Sequence, residues 1–251
     1  MVPHGQQWAR LIGRPKCGSF EARSLMLKFQ LQEDSQGRTT VNIFDETGQT
    51  LLGVIYPYRN SGIHVVSRYL PNEPLTAVWQ GEGAIPTPSL VIDLVKGVIN
   101  VTGNSPVPGV RLLSNFAATS FRMEGVNFAS VEGFIQGIKY PPGHAKRNAA
   151  FAAVGAVAKK LGKDATKMHV WWNGEEIIYR SASHIELIAR AMRAKFAQNE
   201  AARVALIGTR GYTFTHHTGT PEAPDTSLPA TVFCEILRQI RESLLKADSS
   251  S

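Results

Sequence analysis

A change of hydrophobic period near residue 101 constrains the fold of this chain more than any other feature. Upstream, residues 25–31 alternate apolar and polar side chains, the period of two that is typical of a half-buried strand. Four more short apolar runs follow, separated by turn-rich sequence, at 41–44, 51–56, 64–70 and 75–79. The pattern predicts a meander of about five strands within 1–101, where 90–101 fits either a buried strand pair or a helix.

Downstream of the loop 102–109 the apolar spacing becomes mainly helical. Ser130 is a typical N-cap for a helix over 131–139, and Pro141 with Pro142 would end that helix. Three further helices are predicted, over 145–161 with Gly162 as its C-cap, from Ser183 onward, and from Leu228-Pro229 to about 246. The fold class predicted is therefore α+β, with a β-rich N-terminal region, 1–101, followed by a mainly helical domain, 110–247.

The helix that begins at Ser183 is amphipathic by its spacing. Its apolar face is formed by Ile185, Ile188, Ala189 and Met192. The cationic residues Arg190, Arg193 and Lys195 fall outside that face. A second apolar stripe, on the last helix, comprises Phe233, Ile236, Leu237 and Ile240. Both patterns predict helices that bury one side.

The positive charge of the chain is concentrated in its second half. The net charge is +7, yet residues 1–110 hold nine Lys and Arg against eight Asp and Glu. Residues 111–251 hold eighteen against twelve. A basic half favours an anionic partner such as a nucleotide, an ADP-ribosyl group or nucleic acid, although a solvated basic surface is an equally good interpretation.

Several classes of protein are disfavoured by what the sequence lacks. No apolar run reaches 18 residues, so no membrane association is expected, and residues 1–8 do not resemble a secretory signal. Cys17 and Cys234 lie far apart, which favours reduced thiols and a cytoplasmic location. No glycine-rich nucleotide loop is present, and His216-His217 lack acidic or thiol partners at ligand spacing, so neither a cofactor nor a metal is expected.

The predicted helix over 131–139 carries the most informative polar residues. Glu132, Gln136 and Lys139 are spaced i, i+4 and i+7, which places them on one face. Gly133 and Gly137 cost roughly 1 kcal/mol each relative to alanine, a cost often retained where a backbone or a ligand comes close. The alternative is an ordinary amphipathic helix with a Glu–Lys surface pair.

Two other segments have both a structural and a functional interpretation. Trp171-Trp172 precede Asn173-Gly174, which indicates a strand end and a turn, and either ring could pack in the core or stack on a base. Asp225 stands in a loop before the last helix, where Asp225 or Ser227 could serve as an N-cap.

Taken in order, phrases along residues 111–245 resemble the NADAR (YbiA-like) superfamily. The phrases include Leu113-Ser-Asn-Phe116, Phe121-x-x-Glu-Gly-Val126, Ser130-Val-Glu-x-x-x-Gln-x-x-Lys139, Ala158-Lys-x-x-Gly162 and Leu206-x-x-Thr209. The family often has His where this chain has Gly133. It commonly has an aromatic and Trp-Gly after the late aspartate, where this chain has Thr226-Ser-Leu-Pro229.

The resemblance implies an N-glycosidase that acts on ADP-ribose attached to guanine, or on phosphorylated ribosylamine intermediates of riboflavin synthesis. Glu132 would be the catalytic glutamate and Asp225 a second carboxyl group. The residues expected to bind substrate are Asn115, Phe116, Gln136, Lys139, Trp172, Tyr179 and His217. The expected partner is an anionic ribosylated small molecule or ADP-ribosylated nucleic acid.

Two alternatives to an enzyme stay open at this point. The chain could be a non-catalytic module that binds ADP-ribose or nucleotides, having kept the pocket and lost turnover through the changes around Gly133 and Asp225. It could also be an assembly module whose β-rich half binds a protein, which the exposed alternation over 25–79 allows.

Overall fold

A computed structural model describes residues 20–21, 28–33, 39–45, 47–58, 63–68, 76–82, 93–94, 97–105, 107 and 109–248. The chain divides into two compact units, Met1–Ile99 and Asn100–Ser251. Strands dominate the first and helices the second, which confirms the predicted α+β class. Of the predicted features, Cys17 and residues 25–27, 69–70, 75, 90–92, 95–96, 106 and 108 lie outside the described residues.

The first unit contains a six-stranded antiparallel meander in which each strand pairs with its neighbours in sequence. The strands are β1 Phe20–Glu21, β2 Lys28–Glu33, β3 Thr39–Phe44, β4 Leu51–Tyr58, β5 Ile63–Arg68 and β6 Thr76–Glu82. On β3, Val41 and Ile43 are buried while Asn42 between them is half-buried, and Val41 lies opposite buried Ile55 of β4. On β3 and β4, the apolar residues Val41, Ile43 and Ile55 therefore form a buried face.

Small hairpins alternate with helices in the second unit, and β7 (Val98–Asn100) crosses the boundary before it. The strands that follow are β8 Phe121–Met123, β9 Val126–Phe128, β10 His169–Trp172, β11 Glu175–Ile178 and β12 Thr213–Thr215. The helices are α1 Val131–Gly137, α2 Ala145–Phe151, α3 Gly155–Leu161, α4 Ala182–Gln198, α5 Glu200–Ile207 and α6 Ala230–Asp248. β8 pairs with β9 and β10 with β11, both antiparallel.

The observed helices differ from the predicted ones at several points, the first being that α1 ends at Gly137 and not at residue 139. The single helix predicted over 145–161 is two helices, because the chain turns before Gly155, whose positive φ of 52° suits glycine. The long helix α4 is capped by Ser181, whose hydroxyl accepts a hydrogen bond from the His184 amide at 3.3 Å, and not by Ser183. The hairpin β8–β9 is not among the predicted elements, whereas the end of β10 and the turn after it fall at the predicted residues 171–174.

An aromatic cluster forms the centre of the second unit. Phe128 lies at the middle of it, with ring centroids 5.1 Å from Phe121, 5.1 Å from Phe134, 4.8 Å from Phe151 and 5.8 Å from Trp172. Most of these contacts are edge-on or tilted, the geometry that aromatic rings prefer. The cluster joins β9, α1, α2 and β10, so it fixes the position of α1.

The prediction that Lys195 falls outside the buried face of α4 is wrong. Its side chain is 0% exposed, and its Nζ donates to the Ser114 carbonyl oxygen at 2.8 Å. Burial lowers the pKa of the amine to about 7. Arg190 and Arg193 do lie on the exposed side, where they pair with Glu124 and Glu186.

No helix among the described residues is both long enough and apolar enough to cross a membrane.

Candidate active site

The short helix α1 begins as its sequence predicts. Ser130 is its N-cap, with the hydroxyl accepting from the Gly133 amide at 2.9 Å and donating to the Ala153 carbonyl at 2.9 Å. Every residue of Val131–Gly137 is buried. The second bond ties the start of α1 to the residues just after α2, so the helix is held by tertiary contacts and not by propensity alone.

The two glycines of α1 make room for α2. A Cβ atom at Gly133 would stand 2.5 Å from the Ala150 carbonyl oxygen and 2.6 Å from that of Ala153. One at Gly137 would stand 2.9 Å from the Arg147 carbonyl oxygen and nearer still to the Phe151 ring. The sequence allows two reasons for these glycines, close approach of a backbone or of a ligand. The structure supports the first, because α2 packs against both glycines and neither of them lines the cavity described below.

The polar row of α1 is buried and connected. Glu132, Gln136 and Lys139 are 7%, 6% and 6% exposed, so the alternative of a Glu–Lys surface pair does not hold. The Gln136 Nε2 donates to Glu132 Oε1 at 2.8 Å, and Lys139 Nζ donates to Gln136 Oε1 at 2.7 Å. An anion at one end and a cation at the other thus fix which way the Gln136 amide points.

Gly162 completes the setting of the Gln136 amide. A Cβ at this position would lie 2.7 Å from Gln136 Cδ and nearer still to Oε1. The sequence predicts Gly162 as the C-cap of a helix, and it does follow the last turn of α3, with φ of −87° and ψ of 3°. Its lack of a side chain also leaves the space that the amide occupies, a role that helix-capping rules do not reveal.

Burial shifts the pKa of Glu132 and that of Lys139 in the directions that favour their uncharged forms. Desolvation raises the pKa of Glu132, partly offset by the Gln136 hydrogen bond and the charges of Lys139 and Lys159. Desolvation also lowers the pKa of Lys139 to about 8, partly offset by Glu132. A carboxyl group with raised proton affinity, open to a cavity, is suited to taking and releasing a proton during a reaction.

A cavity of about 1040 Å³ opens beside this row, within the second unit. Eight of the nine predicted site residues line it: Asn115, Phe116, Glu132, Gln136, Lys139, Tyr179, His217 and Asp225. The loop 114–116 is tied to α1, since the Glu132 amide donates to the Asn115 carbonyl at 2.9 Å. The side-chain Oδ1 of Asn115 is buried and has no hydrogen-bond partner among the described residues, which leaves an acceptor for a ligand.

The ninth predicted residue, Trp172, lies in the core and not on the cavity wall. Its ring packs against Phe128, Phe134 and Phe151, and its Nε1 donates to Glu124 Oε2 at 2.6 Å. Of the two interpretations of this tryptophan, the structure supports core packing. The strand end and the Asn173-Gly174 turn next to it are as predicted.

Asp225 also lines the cavity, in a setting very different from that of Glu132. Its side chain is exposed, and its carboxylate pairs with Lys167, which lowers its pKa. The Tyr179 hydroxyl donates to the Asp225 carbonyl oxygen at 3.0 Å and lies 2.9 Å from the Ser227 hydroxyl. At the start of α6, the Ala230 amide donates to the Glu222 carboxylate at 2.7 Å.

Several cavity residues were not anticipated individually. Four lysines close together along the chain line the cavity, and we call them the lysine wall: Lys159, Lys160, Lys163 and Lys167. Their spacing along and beyond α3, together with the basic charge of residues 111–251, is the signal that could have predicted them. Cys234 also lines the cavity, but burial raises the pKa of its thiol to about 11, so the thiol is not an activated nucleophile.

The histidine pair lies at the rim of the cavity beside the end of β12. His216 is half-buried and His217 is exposed. Asn100 holds the backbone of His217 on both sides, accepting from its amide at 2.8 Å and donating to its carbonyl at 2.9 Å. Among the described residues, no group of three His, Cys, Asp or Glu side chains is placed to hold a metal ion.

Comparison with known proteins identifies the family of this fold and site. The model of the Bacteriophage protein GP30.3 family matches residues 108–242, more than half of the chain. The chain belongs to the Bacteriophage protein GP30.3 family. An uncharacterized 17.1 kDa protein from the Gp30–rIII intergenic region of Enterobacteria phage T4 is 30% identical over 137 residues, which are 53% of this chain and 90% of the phage protein.

A solved structure is also similar. It is the NMR structure of the E. coli protein YbiA, at 21% sequence identity and a TM-score of 0.47, covering 61% of this chain and 88% of that one. The N-glycosidase activity that the sequence resemblance implies stays a prediction.

Proposed function

We propose that the second unit hydrolyses the N-glycosidic bond between a phosphorylated ribose and a nitrogen base, with Glu132 as the acid–base group. The observation that carries this proposal is a buried carboxyl group of raised pKa that opens on a large cavity with lysines along one wall. The combination suits a substrate with an anionic part and a bond whose cleavage needs proton transfer.

Cleavage of such a bond develops positive charge on the ribose as the C1′–N bond breaks and its electron pair leaves with the base. The ionised form of Glu132 stabilises that charge and takes a proton from the water whose oxygen bonds to C1′. Burial raises the pKa of Glu132 and so strengthens it as a base, while the Gln136 hydrogen bond and the Lys139 charge favour its ionised form. The base nitrogen gains a proton as it leaves.

The lysine wall supports an anionic substrate. Lys159, Lys160 and Lys163 line the cavity and are exposed, so their ammonium groups can approach phosphate oxygens without first leaving a buried site. Lys159 also lies over the Phe116 ring, 5.7 Å from its centroid. We infer that the phosphate groups bind on this wall and that the ribose lies towards Glu132.

Asp225 enters the proposal as an ionised carboxylate and not as a proton donor. Its pairing with Lys167 and its lowered pKa keep it charged at neutral pH. A second anion on the cavity lining would favour the ribosyl cation electrostatically, with a smaller effect because the Asp225 side chain is exposed to solvent.

The test is to incubate the full chain with N-ribosylated compounds and to identify the products by mass spectrometry. The panel comprises ADP-ribosyl guanosine, an ADP-ribosylated guanine in a DNA oligonucleotide, and a phosphorylated ribosylamine. Hydrolysis in ¹⁸O-water is expected to release the base and a sugar labelled at C1. Release of no base from any of the three would overturn the proposal.

The variant that tests the role of Glu132 is Glu132→Gln. It keeps a side-chain oxygen that can accept the hydrogen bond from Gln136, and it removes the ionisable group. Turnover is expected to fall at least about a hundredfold, the usual scale for a positioned acid–base group, while circular dichroism stays unchanged. Full activity of this variant would show that another residue does the chemistry.

A non-catalytic binding module is the second candidate, favoured by the state of Asp225. A protein that only binds ADP-ribose needs the lysine wall and the cavity but no second catalytic carboxyl group. In this structure the candidate for that group, Asp225, is paired with Lys167. Binding of ADP-ribose in calorimetry, together with no product from the substrate panel, would support this function over hydrolysis.

A further inference from the structure

His216 has a fixed tautomer next to the cavity. Its Nδ1 lies 2.6 Å from the Val101 carbonyl oxygen. A carbonyl oxygen only accepts hydrogen bonds, so Nδ1 carries a proton in both the neutral and the charged ring. Nε2 is therefore the ring nitrogen that is left to contact a ligand, and His216 lines the cavity.

The His216 ring is held by its Nδ1 hydrogen bond and by packing. Its plane meets the Phe233 ring edge-on, with centroids 5.0 Å apart and an interplanar angle of 68°. The backbone on either side is anchored, since the Val101 amide donates to the Thr215 carbonyl at 2.8 Å and Asn100 holds His217. A histidine fixed through one nitrogen and by packing leaves its other nitrogen for a ligand, as a positioned acid–base group requires.

The side chains next to His216 on the cavity lining are aromatic. Phe214 and Phe233 line the cavity together with His216, and the Phe233 ring contacts the His216 ring. Aromatic side chains give an apolar surface against which a planar base can pack, whatever the identity of the base. The lysines suit phosphate, so the surface formed by His216 and Phe233 is the candidate for the base.

We propose that His216 forms the base-binding side of the cavity and that its Nε2–H protonates the departing nitrogen of an aromatic base. This inference rests on the proposed function. As the C1′–N bond breaks, its electron pair stays on the base nitrogen, which takes the Nε2 proton. The imidazole becomes neutral and keeps its Nδ1–H on Val101. Glu132 gains the proton of the attacking water and later returns it to solvent, from which His216 is recharged.

The decisive variant is His216→Asn. The side-chain NH₂ of asparagine can keep the bond to the Val101 carbonyl, but asparagine has no atom at the position of Nε2. The kcat for ADP-ribosyl guanosine is expected to fall about a hundredfold. The matched control is His169→Asn, on β10, which pairs with Glu176 away from the cavity and is expected to keep wild-type kcat.

Leaving-group dependence separates proton donation from a structural role. For a series of ribosylated bases, log kcat is expected to fall more steeply with the pKa of the leaving base in His216→Asn than in the wild type, because the variant cannot protonate it. Equal slopes, or an unchanged kcat in His216→Asn, would overturn the assignment while leaving the hydrolase proposal intact.

A binding measurement tests the inference without turnover. In ¹⁵N spectra of the full chain, the His216 Nε2 resonance is expected to shift on addition of guanosine, while its Nδ1 resonance keeps the position of a protonated nitrogen. A shift without hydrolysis of the panel would support the base site and reject the hydrolase. An Nε2 resonance unmoved by saturating guanosine would reject the base site.

Discussion

Two carboxyl groups line the same cavity in opposite settings. Glu132 is buried on α1 beside an amide, and its pKa is raised, whereas Asp225 is exposed beside Lys167, and its pKa is lowered. The family resemblance assigns both residues to one catalytic pair, but proton affinity follows from burial and from the nearest charge. The difference teaches that Glu132 suits proton transfer and that Asp225 suits a fixed negative charge.

The comparison is tested most strongly by replacing each carboxyl group with its amide. Glu132→Gln is expected to lose at least about a hundredfold in turnover, and Asp225→Asn less than about tenfold, because an exposed and paired carboxylate acts only electrostatically. Steady-state kinetics on the same substrate measure both. Comparable losses would mean that the reaction needs two carboxyl groups that transfer protons.

The setting of Glu132 depends on Gly162, so Gly162→Ala is expected to have the next largest effect. The new methyl group would displace the Gln136 amide and remove its hydrogen bond to Glu132, with a loss of roughly tenfold in turnover. The control is Gly208→Ala, where a Cβ has ordinary contacts of 3.4 Å and lies away from the cavity. Equal activity of the two variants would show that the amide is not required.

The smallest expected effect is a change in pH dependence. Lys139 favours the ionised form of Glu132, so Lys139→Met should raise the pKa of Glu132 further. The rise of kcat/KM with pH, which follows ionisation of Glu132, should then move to higher pH by about one unit. Lys167→Met raises the pKa of Asp225 within the acidic range, so this rise should keep its position. A profile that moves equally in both variants contradicts the comparison.

The sequence predicts the local features of this molecule better than the long-range ones. The i, i+4, i+7 row of α1 and its Ser130 cap follow from helical geometry, and both are observed. The burial of that row depends on the packing of α2 against Gly133 and Gly137, which no local pattern encodes.

Partners distant in sequence explain most of the remaining differences. Lys195 is buried because Ser114, 81 residues earlier, offers a carbonyl oxygen to its amine. Asp225 is paired by Lys167, 58 residues earlier, which removes it from the role of proton donor. Trp172 is indistinguishable by spacing from a base-stacking residue, and only the cluster around Phe128 assigns it to the core.

The buried amine of Lys139 is a site at which the cavity can be chemically modified. With a pKa of about 8, roughly half of this amine is neutral at pH 8, against well under 1% for an ordinary lysine of pKa about 10.4. Lys139 lines the cavity, so a small acylating reagent that enters should modify it ahead of the surface lysines. Any compound that fills the cavity then slows this modification, so peptide mapping of Lys139 can find ligands before the substrate is identified.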